Sequence, residues 1–195
     1  MKKTLKVTAE GDREIVVTRD FEAPRALVWD TMSRPELLKR WLFGPPGWRL
    51  TSCEDEQKVG GRFRWEWAGP EGAVMTMSGV YRELDLPGRC VRTEIFESGG
   101  SARMGEQPQM GEQLATLVLT NRGEKTTLTL TVLYPSKGAR DGALAGGFDK
   151  GLDADYNRLE EFLAGAAVYR GGSGLHRAEG LLSPSETTSP EGMPS

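Results

Sequence analysis

Histidine is almost absent from this sequence. His176 is the only one among 195 residues, and it lies in a segment rich in glycine and serine. A Ser-His-Asp triad, a multi-histidine metal site and an imidazole general base all need histidine within the folded part of a chain. We therefore predict no catalytic residue of these kinds, no metal site and no cofactor.

Cysteine and long apolar runs are scarce as well. Cys53 and Cys90 lack the spacing of a metal site, and we expect both to be reduced thiols within the fold. The opening stretch MKKTLKVTAEGDREI has no hydrophobic segment of the kind that a secretory signal needs. No uninterrupted apolar run in the sequence approaches the roughly 20 residues of a membrane-spanning helix. These features predict a cytoplasmic protein without a membrane span.

The composition is that of a globular protein, with 37% hydrophobic residues, 27% charged residues and a net charge of -3. There is no basic cluster with interleaved aromatic residues, so we expect no nucleic-acid partner. The length allows one domain and a tail. We predict a flexible N-terminus at 1–12, a domain at 13–166 and a disordered tail at 167–195, because Gly, Ser, Pro, Thr and Glu dominate the tail.

Alternating apolar and polar residues, separated by turn-forming residues, predict seven β-strands. Their expected ranges are 14–21, 48–55, 62–67, 73–84, 90–97, 112–120 and 126–134. Two short helices, 25–32 and 35–42, follow the first strand. Short connections between consecutive strands favour an antiparallel sheet of six to seven strands, in an α+β protein.

A long helix is predicted from Ser136 to Ala164. Ser136 follows Pro135 and can cap its first turn. Apolar residues recur at helical spacing along one face, as expected for a helix that packs on a sheet; they are Leu144, Phe148, Leu152, Tyr156, Leu159, Phe162 and Leu163.

Glycine is unusually frequent in the first half of this helix, and each one costs about 1 kcal/mol relative to alanine. We expect the helix to bend or break near Gly146 and Gly147 unless packing offsets that cost. The small residues could leave room between helix and sheet, or they could serve only to let the backbones approach closely.

Several stretches, in this order, resemble a known family. They are FEAPRALVWD, PELLKRWLFGPPGW, VGGRFRWEW, GPEG, MSGVYRELDLPGRCVRTE, LATLVLTNRGEKTTLTLTVLYPS and GARDGALAGGFDKGLDADYNRLEEFL. Together they run from about Arg13 to Ala164 and resemble the START/SRPBCC superfamily, in the branch of activator of heat-shock-protein-90 ATPase homologues, C-terminal-domain-like.

The resemblance implies the helix-grip (START-like) fold, in which a curved antiparallel sheet grips a long C-terminal helix. It also implies functions that vary across the superfamily, namely ligand binding, transport, cyclase activity and co-chaperone roles. The chaperone activator that gives the branch its name has a further N-terminal domain, and this chain has no residues for one. We therefore do not expect chaperone activation to transfer to it.

A curved sheet that grips one helix tends to enclose an apolar space, which is the usual shape of a small-molecule site. Aromatic and thioether side chains from the strands and helices are the predicted lining of a ligand cavity. They are Trp41, Phe63, Trp65, Trp67, Met75, Met77, Tyr81, Phe148, Leu152 and Tyr156. The alternative is that the same side chains simply fill the core. The turn FGPPG between Trp41 and Trp48 could form part of the cavity mouth or act as a structural plug.

Charged residues on neighbouring strands have two interpretations. Strand alternation places Arg62, Arg64 and Glu66 opposite the tryptophans, which favours a solvated ladder of ion pairs that also includes Arg82 and Arg92. A buried carboxylate could instead perform acid–base chemistry. Glu83 and Glu94 are the open cases, since either could face the helix.

These observations predict non-catalytic binding of a hydrophobic small molecule. A role in stress or in metabolism is one expectation for such a protein. One alternative is a cyclase-type or hydrolase-type enzyme that uses a cavity carboxylate or tyrosine. Another is a protein-interaction module that acts on a chaperone or as a homodimer.

Overall fold

The computed structural model describes residues 5–99 and 111–171, with side chains through residue 166. Eight strands are present within these ranges: β1 Lys6–Glu10, β2 Glu14–Phe21, β3 Arg49–Asp55, β4 Arg62–Ala68, β5 Val74–Asp85, β6 Arg89–Gly99, β7 Gln113–Arg122 and β8 Lys125–Leu133. The helices are α1 Arg25–Ser33, α2 Pro35–Leu38, α3 Lys137–Ala145 and α4 Phe148–Gly171.

All strands join one antiparallel sheet in the order β1-β2-β8-β7-β6-β5-β4-β3. The predicted α+β helix-grip fold is confirmed, with one strand more than the six to seven expected. Register shifts interrupt β3 between Leu50 and Ser52 and β5 between Tyr81 and Glu83. Such bulges bend strands, which suits a sheet that wraps around a helix.

The additional strand is β1, which pairs with β2 from Lys6↔Thr18 to Glu10↔Glu14. The expectation of a flexible segment at 1–12 was therefore wrong for residues 6–10; residues 1–4 lie outside the described ranges. β1 is an edge strand with mostly exposed side chains, so it is held mainly by backbone hydrogen bonds to β2. It lacks the alternation of apolar and polar residues by which strands are recognised in a sequence.

Gly79 permits close contact between β5 and β6. A Cβ built at this position would lie 1.8 Å from the Thr93 carbonyl oxygen. Only glycine fits such an approach without moving the backbone. The close pairing of β5 with β6 at this point therefore depends on glycine.

The predicted C-terminal helix is interrupted where its glycines are densest. α3 ends at Ala145, Gly147 has a φ of +86°, and α4 begins at Phe148. The expected break near Gly146 and Gly147 is confirmed, because glycine adopts this left-handed conformation at no steric cost. The predicted cap is also present, since Ser136 Oγ accepts a hydrogen bond from the Ala139 amide at 3.1 Å.

α4 continues to Gly171, so its backbone extends into the tail that was expected to be disordered from residue 167. Alanines that follow Gly165 are good helix formers and account for the extension. The remainder of the predicted tail, 172–195, lies outside the described residues.

A buried arginine fixes α4 to the sheet. The side chain of Arg19, on β2, is 0% exposed. It donates to Asp153 Oδ1 at 3.3 Å and to Asn157 Oδ1 at 2.9 Å, and it forms an ion pair with Glu160. These three partners lie on one side of α4, so the helix is held at a defined rotation, with Tyr156, Leu159 and Leu163 buried among the core side chains.

Candidate functional site

A cavity of about 290 Å³ lies between the sheet, the first turns of α4 and the segment that follows α2. Its walls are mainly aromatic, aliphatic and thioether side chains, with a few polar groups. The lining residues are Trp29, Met32, Ser33, Leu38, Trp41, Leu42, Gly44, Pro45, Trp65, Trp67, Met75, Met77, Tyr81, Cys90, Arg92, Glu94, Phe96, Ala115, Leu117, Leu130, Val132, Phe148, Gly151, Leu152, Asp155 and Tyr156.

Nine of the ten side chains predicted from the sequence line this cavity. They come from β4, β5, α4 and the segment after α2, where Trp41 lies because the helix expected to run to Leu42 ends at Leu38. They are Trp41, Trp65, Trp67, Met75, Met77, Tyr81, Phe148, Leu152 and Tyr156.

Phe63 is the exception, and its assignment to the cavity was wrong. It is 2% exposed and packs against Trp65 and Tyr81, with ring centroids 5.3 and 5.6 Å apart. The guanidinium of Arg92 lies over its ring at 4.6 Å from the centroid. Arg92, which lines the cavity, therefore covers the phenylalanine.

Two lining tryptophans are oriented by their indole N–H groups. Trp41 Nε1 donates to the Thr31 carbonyl at 2.9 Å, and Trp67 Nε1 donates to the Leu42 carbonyl at 3.1 Å. Each ring thus has its polar edge satisfied within the protein. The apolar faces are left as cavity wall, which is the usual role of a tryptophan with one polar edge.

The turn after α2 is fastened to α4. Asp155 Oδ1 accepts hydrogen bonds from the amides of Phe43 and Gly44 at 3.2 and 3.3 Å. Arg158 donates to the carbonyls of Trp41 and Gly44 at 3.0 and 3.1 Å. Gly44, and with it Pro45, lines the cavity. The turn that the sequence identified as mouth or plug therefore forms part of the cavity wall.

Arg92 and Glu94 form an ion pair in the cavity wall. Arg92 Nε and Nη2 lie 2.9 and 2.8 Å from Glu94 Oε1, and Gln113 Nε2 donates to Glu94 Oε2 at 3.0 Å. The arginine also lies over the Trp65 ring, 4.7 Å from its centroid. Burial lowers the pKa of Arg92, but the Glu94 carboxylate, together with Tyr81 and Cys90, more than offsets this, and the net effect is a raised pKa.

The sequence did not identify this pair as part of the site. Arg92 was assigned to a solvated ladder, and Glu94 was left open. In the segment CVRTEIF both faces carry apolar residues, Val91 and Ile95 on one and Cys90 and Phe96 on the other, so alternation alone does not decide which face is the inner one. The structure turns Arg92 and Glu94 inward, where neighbouring aromatic rings and Gln113 compensate their burial. Arg64 and Glu66, also assigned to the ladder, are solvated and form an ion pair along β4 at 3.8 Å.

The two predicted tyrosines differ in their partners. Tyr81 Oη donates to Asp55 Oδ1 at 2.8 Å, whereas Tyr156 Oη makes no hydrogen bond to any described residue. Burial raises the pKa of both phenols. Burial likewise raises the pKa of the Cys90 thiol in the cavity wall. All three groups are therefore protonated at neutral pH and can act as hydrogen-bond donors.

In the part of the chain that the structure describes, no group of three or more His, Cys, Asp or Glu side chains is arranged to hold a metal ion. Within the same part, none of the helices has the length and apolar character needed to cross a membrane.

Comparison with known proteins identifies the family. The model of the "Activator of Hsp90 ATPase homolog 1-like protein" family matches residues 22–164, which is more than half of the chain. The protein belongs to this family. The match begins at the end of β2 and ends within α4, so the family's core contains every element that lines the cavity.

Solved structures show the same START/SRPBCC-like fold. A protein of Rhodobacter sphaeroides is 28% identical, with a TM-score of 0.74, covering 83% of this chain and 99% of its own. A protein of Nitrosomonas europaea is 25% identical, with a TM-score of 0.68 and coverages of 83% and 100%. A Mycobacterium smegmatis protein, 20% identical with a TM-score of 0.69 and coverages of 84% and 99%, shares the fold. No curated protein matches the sequence significantly. Membership of the family supports a ligand-binding or co-chaperone-like domain.

Proposed function

We propose that this protein binds a hydrophobic small molecule in the cavity between the sheet and α4, and that it does not transform that molecule chemically. The observation that carries the proposal is the cavity itself, about 290 Å³ with mostly apolar walls. This volume is near the lower end of the range of small-molecule sites, about 300–1,000 Å³. A filled core of the kind that the sequence also allowed would leave no such space.

The walls suit a flat or irregular apolar molecule. Trp41, Trp65 and Trp67 offer aromatic faces, and Met75 and Met77 offer flexible thioethers. Each Å² of apolar ligand surface removed from water contributes roughly 25 cal/mol. Enclosure within this cavity therefore supplies affinity without any specific polar contact.

The polar groups of the cavity favour binding over catalysis. Glu94, a cavity carboxylate, is engaged through both oxygens, by Arg92 on one side and by Gln113 on the other. A general base must present an oxygen that can take a proton from the substrate, and Asp155, the other cavity carboxylate, is likewise engaged, by the Phe43 and Gly44 amides and by Arg158. The tyrosines, with raised pKa values, remain protonated. This arrangement argues against the cyclase or hydrolase alternative.

The interaction-module alternative needs an exposed apolar surface. Among the described residues, the exposed large hydrophobic side chains are Val59, Leu86 and Ile95. They lie on a turn after β3, a turn after β5 and the strand β6. This scatter favours the cavity as the functional surface. Homodimer formation, the lack of nucleic-acid binding, a role in stress and a cytoplasmic location stay predictions.

The proposal is tested with N-phenyl-1-naphthylamine, a neutral dye whose fluorescence rises in an apolar site. We expect a saturable increase with a stoichiometry of one dye per chain. Native mass spectrometry of freshly purified protein should also show a retained small molecule. A dye signal that rises linearly without saturation, as it would for loose surface adsorption, would contradict the proposal.

A further inference from the structure

We infer that the cavity selects a neutral molecule that carries a hydrogen-bond acceptor, such as a ketone, on an apolar body, and that Arg92 and Tyr156 receive this acceptor. The inference rests on the proposed function and specifies its ligand class. Both side chains line the cavity. Each has a donor that the described protein leaves unpaired.

Arg92 has donor capacity to spare. Its contacts with Glu94 use Nε and Nη2, both directed at the same carboxylate oxygen. Nη1 makes no hydrogen bond to a described residue. The Arg92 side chain is 20% accessible, although it lies over the buried rings of Phe63 and Trp65. Because Arg92 lines the cavity, we take Nη1 as the donor that meets a ligand oxygen.

Tyr156 presents a second donor. It is 3% exposed overall, and its ring is held by an edge contact with Phe21, at 5.8 Å between centroids, and by Trp41 at 6.4 Å. Its hydroxyl makes no hydrogen bond to the described side chains and backbone groups. Its oxygen nevertheless keeps some accessible surface, since it is not one of the fully buried polar atoms without a partner. The hydroxyl therefore faces the cavity. A buried hydroxyl without a partner costs free energy, which a ligand acceptor would recover.

The charge balance determines which acceptor fits. Glu94 already neutralises Arg92, and Asp155, the other carboxylate of the lining, is paired with Arg158. A carboxylate ligand would place an additional negative charge between apolar walls, and burying an uncompensated charge is costly. A carbonyl gains the same hydrogen bonds without that cost. Burial raises the pKa of the Tyr156 phenol most, while the Arg92 charge lowers it and the Glu94 charge raises it; all three side chains line the cavity.

Three probes with one naphthalene body separate these effects: 2-ethylnaphthalene, 2-acetylnaphthalene and 2-naphthoate. Each is titrated at pH 7 against protein loaded with N-phenyl-1-naphthylamine, and displacement is read as loss of dye fluorescence. The acetyl compound should bind about tenfold more tightly than its near-isosteric ethyl analogue, as expected for a hydrogen bond to a charged donor. The naphthoate should bind more weakly than the ketone.

Tyr156→Phe keeps the ring and removes only the hydroxyl. We expect it to bind 2-ethylnaphthalene as the wild type does and to lose part of its preference for the ketone, because Arg92 remains as a donor. Tyr134→Phe is the matched control, because Tyr134 is 1% exposed and is not part of the cavity lining. It should keep the full preference, and the unchanged binding of the hydrocarbon reports that both variants are folded.

Equal affinity for ketone and hydrocarbon, a preference for the naphthoate, or an undiminished ketone preference in Tyr156→Phe would each overturn this inference and leave the proposed function standing. Failure of all three probes to displace a saturably bound dye would likewise overturn this inference alone, whereas the absence of saturable dye binding would overturn both.

Discussion

Arg92 and Glu94 lie two residues apart on β6 and face the same side of the sheet, where Nε and Nη2 of the arginine meet one carboxylate oxygen at 2.9 and 2.8 Å. Their side chains are 20% and 9% exposed. A strand in this position would ordinarily direct apolar side chains into the cavity. The pair therefore carries a desolvation cost, and each member depends on the other.

Removing one member of this pair should lower the stability of the protein much more than removing both. Arg92→Met leaves the Glu94 carboxylate buried without its ion-pair partner, and we expect it to lower the free energy of unfolding by about 3 kcal/mol. The double variant Arg92→Met/Glu94→Gln should recover most of that loss. Urea denaturation measures all three proteins.

Arg64→Met is the control for this series, because Arg64 and Glu66 are 50% and 39% exposed. A surface pair contributes only about 0–1 kcal/mol. If Arg92→Met lowered the free energy of unfolding no more than Arg64→Met does, the Arg92–Glu94 pair would behave as a surface pair, and the prediction would be wrong.

Arg19 should stabilise the contact between sheet and helix. Arg19→Met leaves Asp153 and Glu160 without their partner, but these side chains are 46% and 28% exposed and can regain water. We therefore expect a loss of about 1–3 kcal/mol, less than for a fully enclosed pair. Thermal and urea unfolding check this value, with Lys125→Met, at an exposed ion pair, as control. A loss equal to that of the control would contradict the prediction.

Asp55 should make stability depend on pH. Burial raises its folded-state pKa above the ordinary 3.8, although the Tyr81 hydroxyl and the Arg92 charge act in the opposite direction. A carboxyl with a raised folded pKa contributes stability that is fully present below its unfolded pKa and is lost as the pH rises through its folded pKa. The free energy of unfolding of the wild type, measured relative to Asp55→Asn, should therefore fall as the pH rises from about 4 to 7. A rise over that range would contradict this.

The clamp between α4 and the turn after α2 should slow ligand release. Asp155→Ala removes the acceptor of the Phe43 and Gly44 amides and the ion-pair partner of Arg158. If the contact between the turn and α4 is weakened by about 1 kcal/mol, the rate of dye dissociation should rise about fivefold. Stopped-flow release of N-phenyl-1-naphthylamine measures it, with the exposed Glu161→Ala on the same helix as control. Equal rates in both variants would contradict the clamp.

The sequence predicted the fold well where periodicity and turn chemistry agree. The alternation of Phe63, Trp65 and Trp67 placed β4 correctly, and the glycines at 146 and 147 predicted the break before α4. β1 could not be recognised, since an edge strand with exposed side chains forms through backbone pairing alone.

The site was predictable in its apolar part and not in its polar part. Aromatic residues at strand spacing indicated a common inner face, and all but Phe63 line the cavity. The inward orientation of Arg92 depends on the strand pairing and register of β6 with β5 and β7. Partners such as Gln113, distant in sequence from Glu94, compensate its charge, and no local pattern contains that information.

A matched pair of glycine substitutions tests the central claim most directly. Gly151 lines the cavity and Gly165 does not, and at both positions of α4 an added Cβ would meet no described atom within 4 Å. Gly151→Leu and Gly165→Leu should each gain up to about 1 kcal/mol of stability from helix propensity. Only Gly151→Leu should fill the cavity, and we expect it to bind N-phenyl-1-naphthylamine at least tenfold more weakly while Gly165→Leu binds as the wild type does. Wild-type dye affinity in a folded Gly151→Leu protein would show that the ligand does not occupy the space beneath α4.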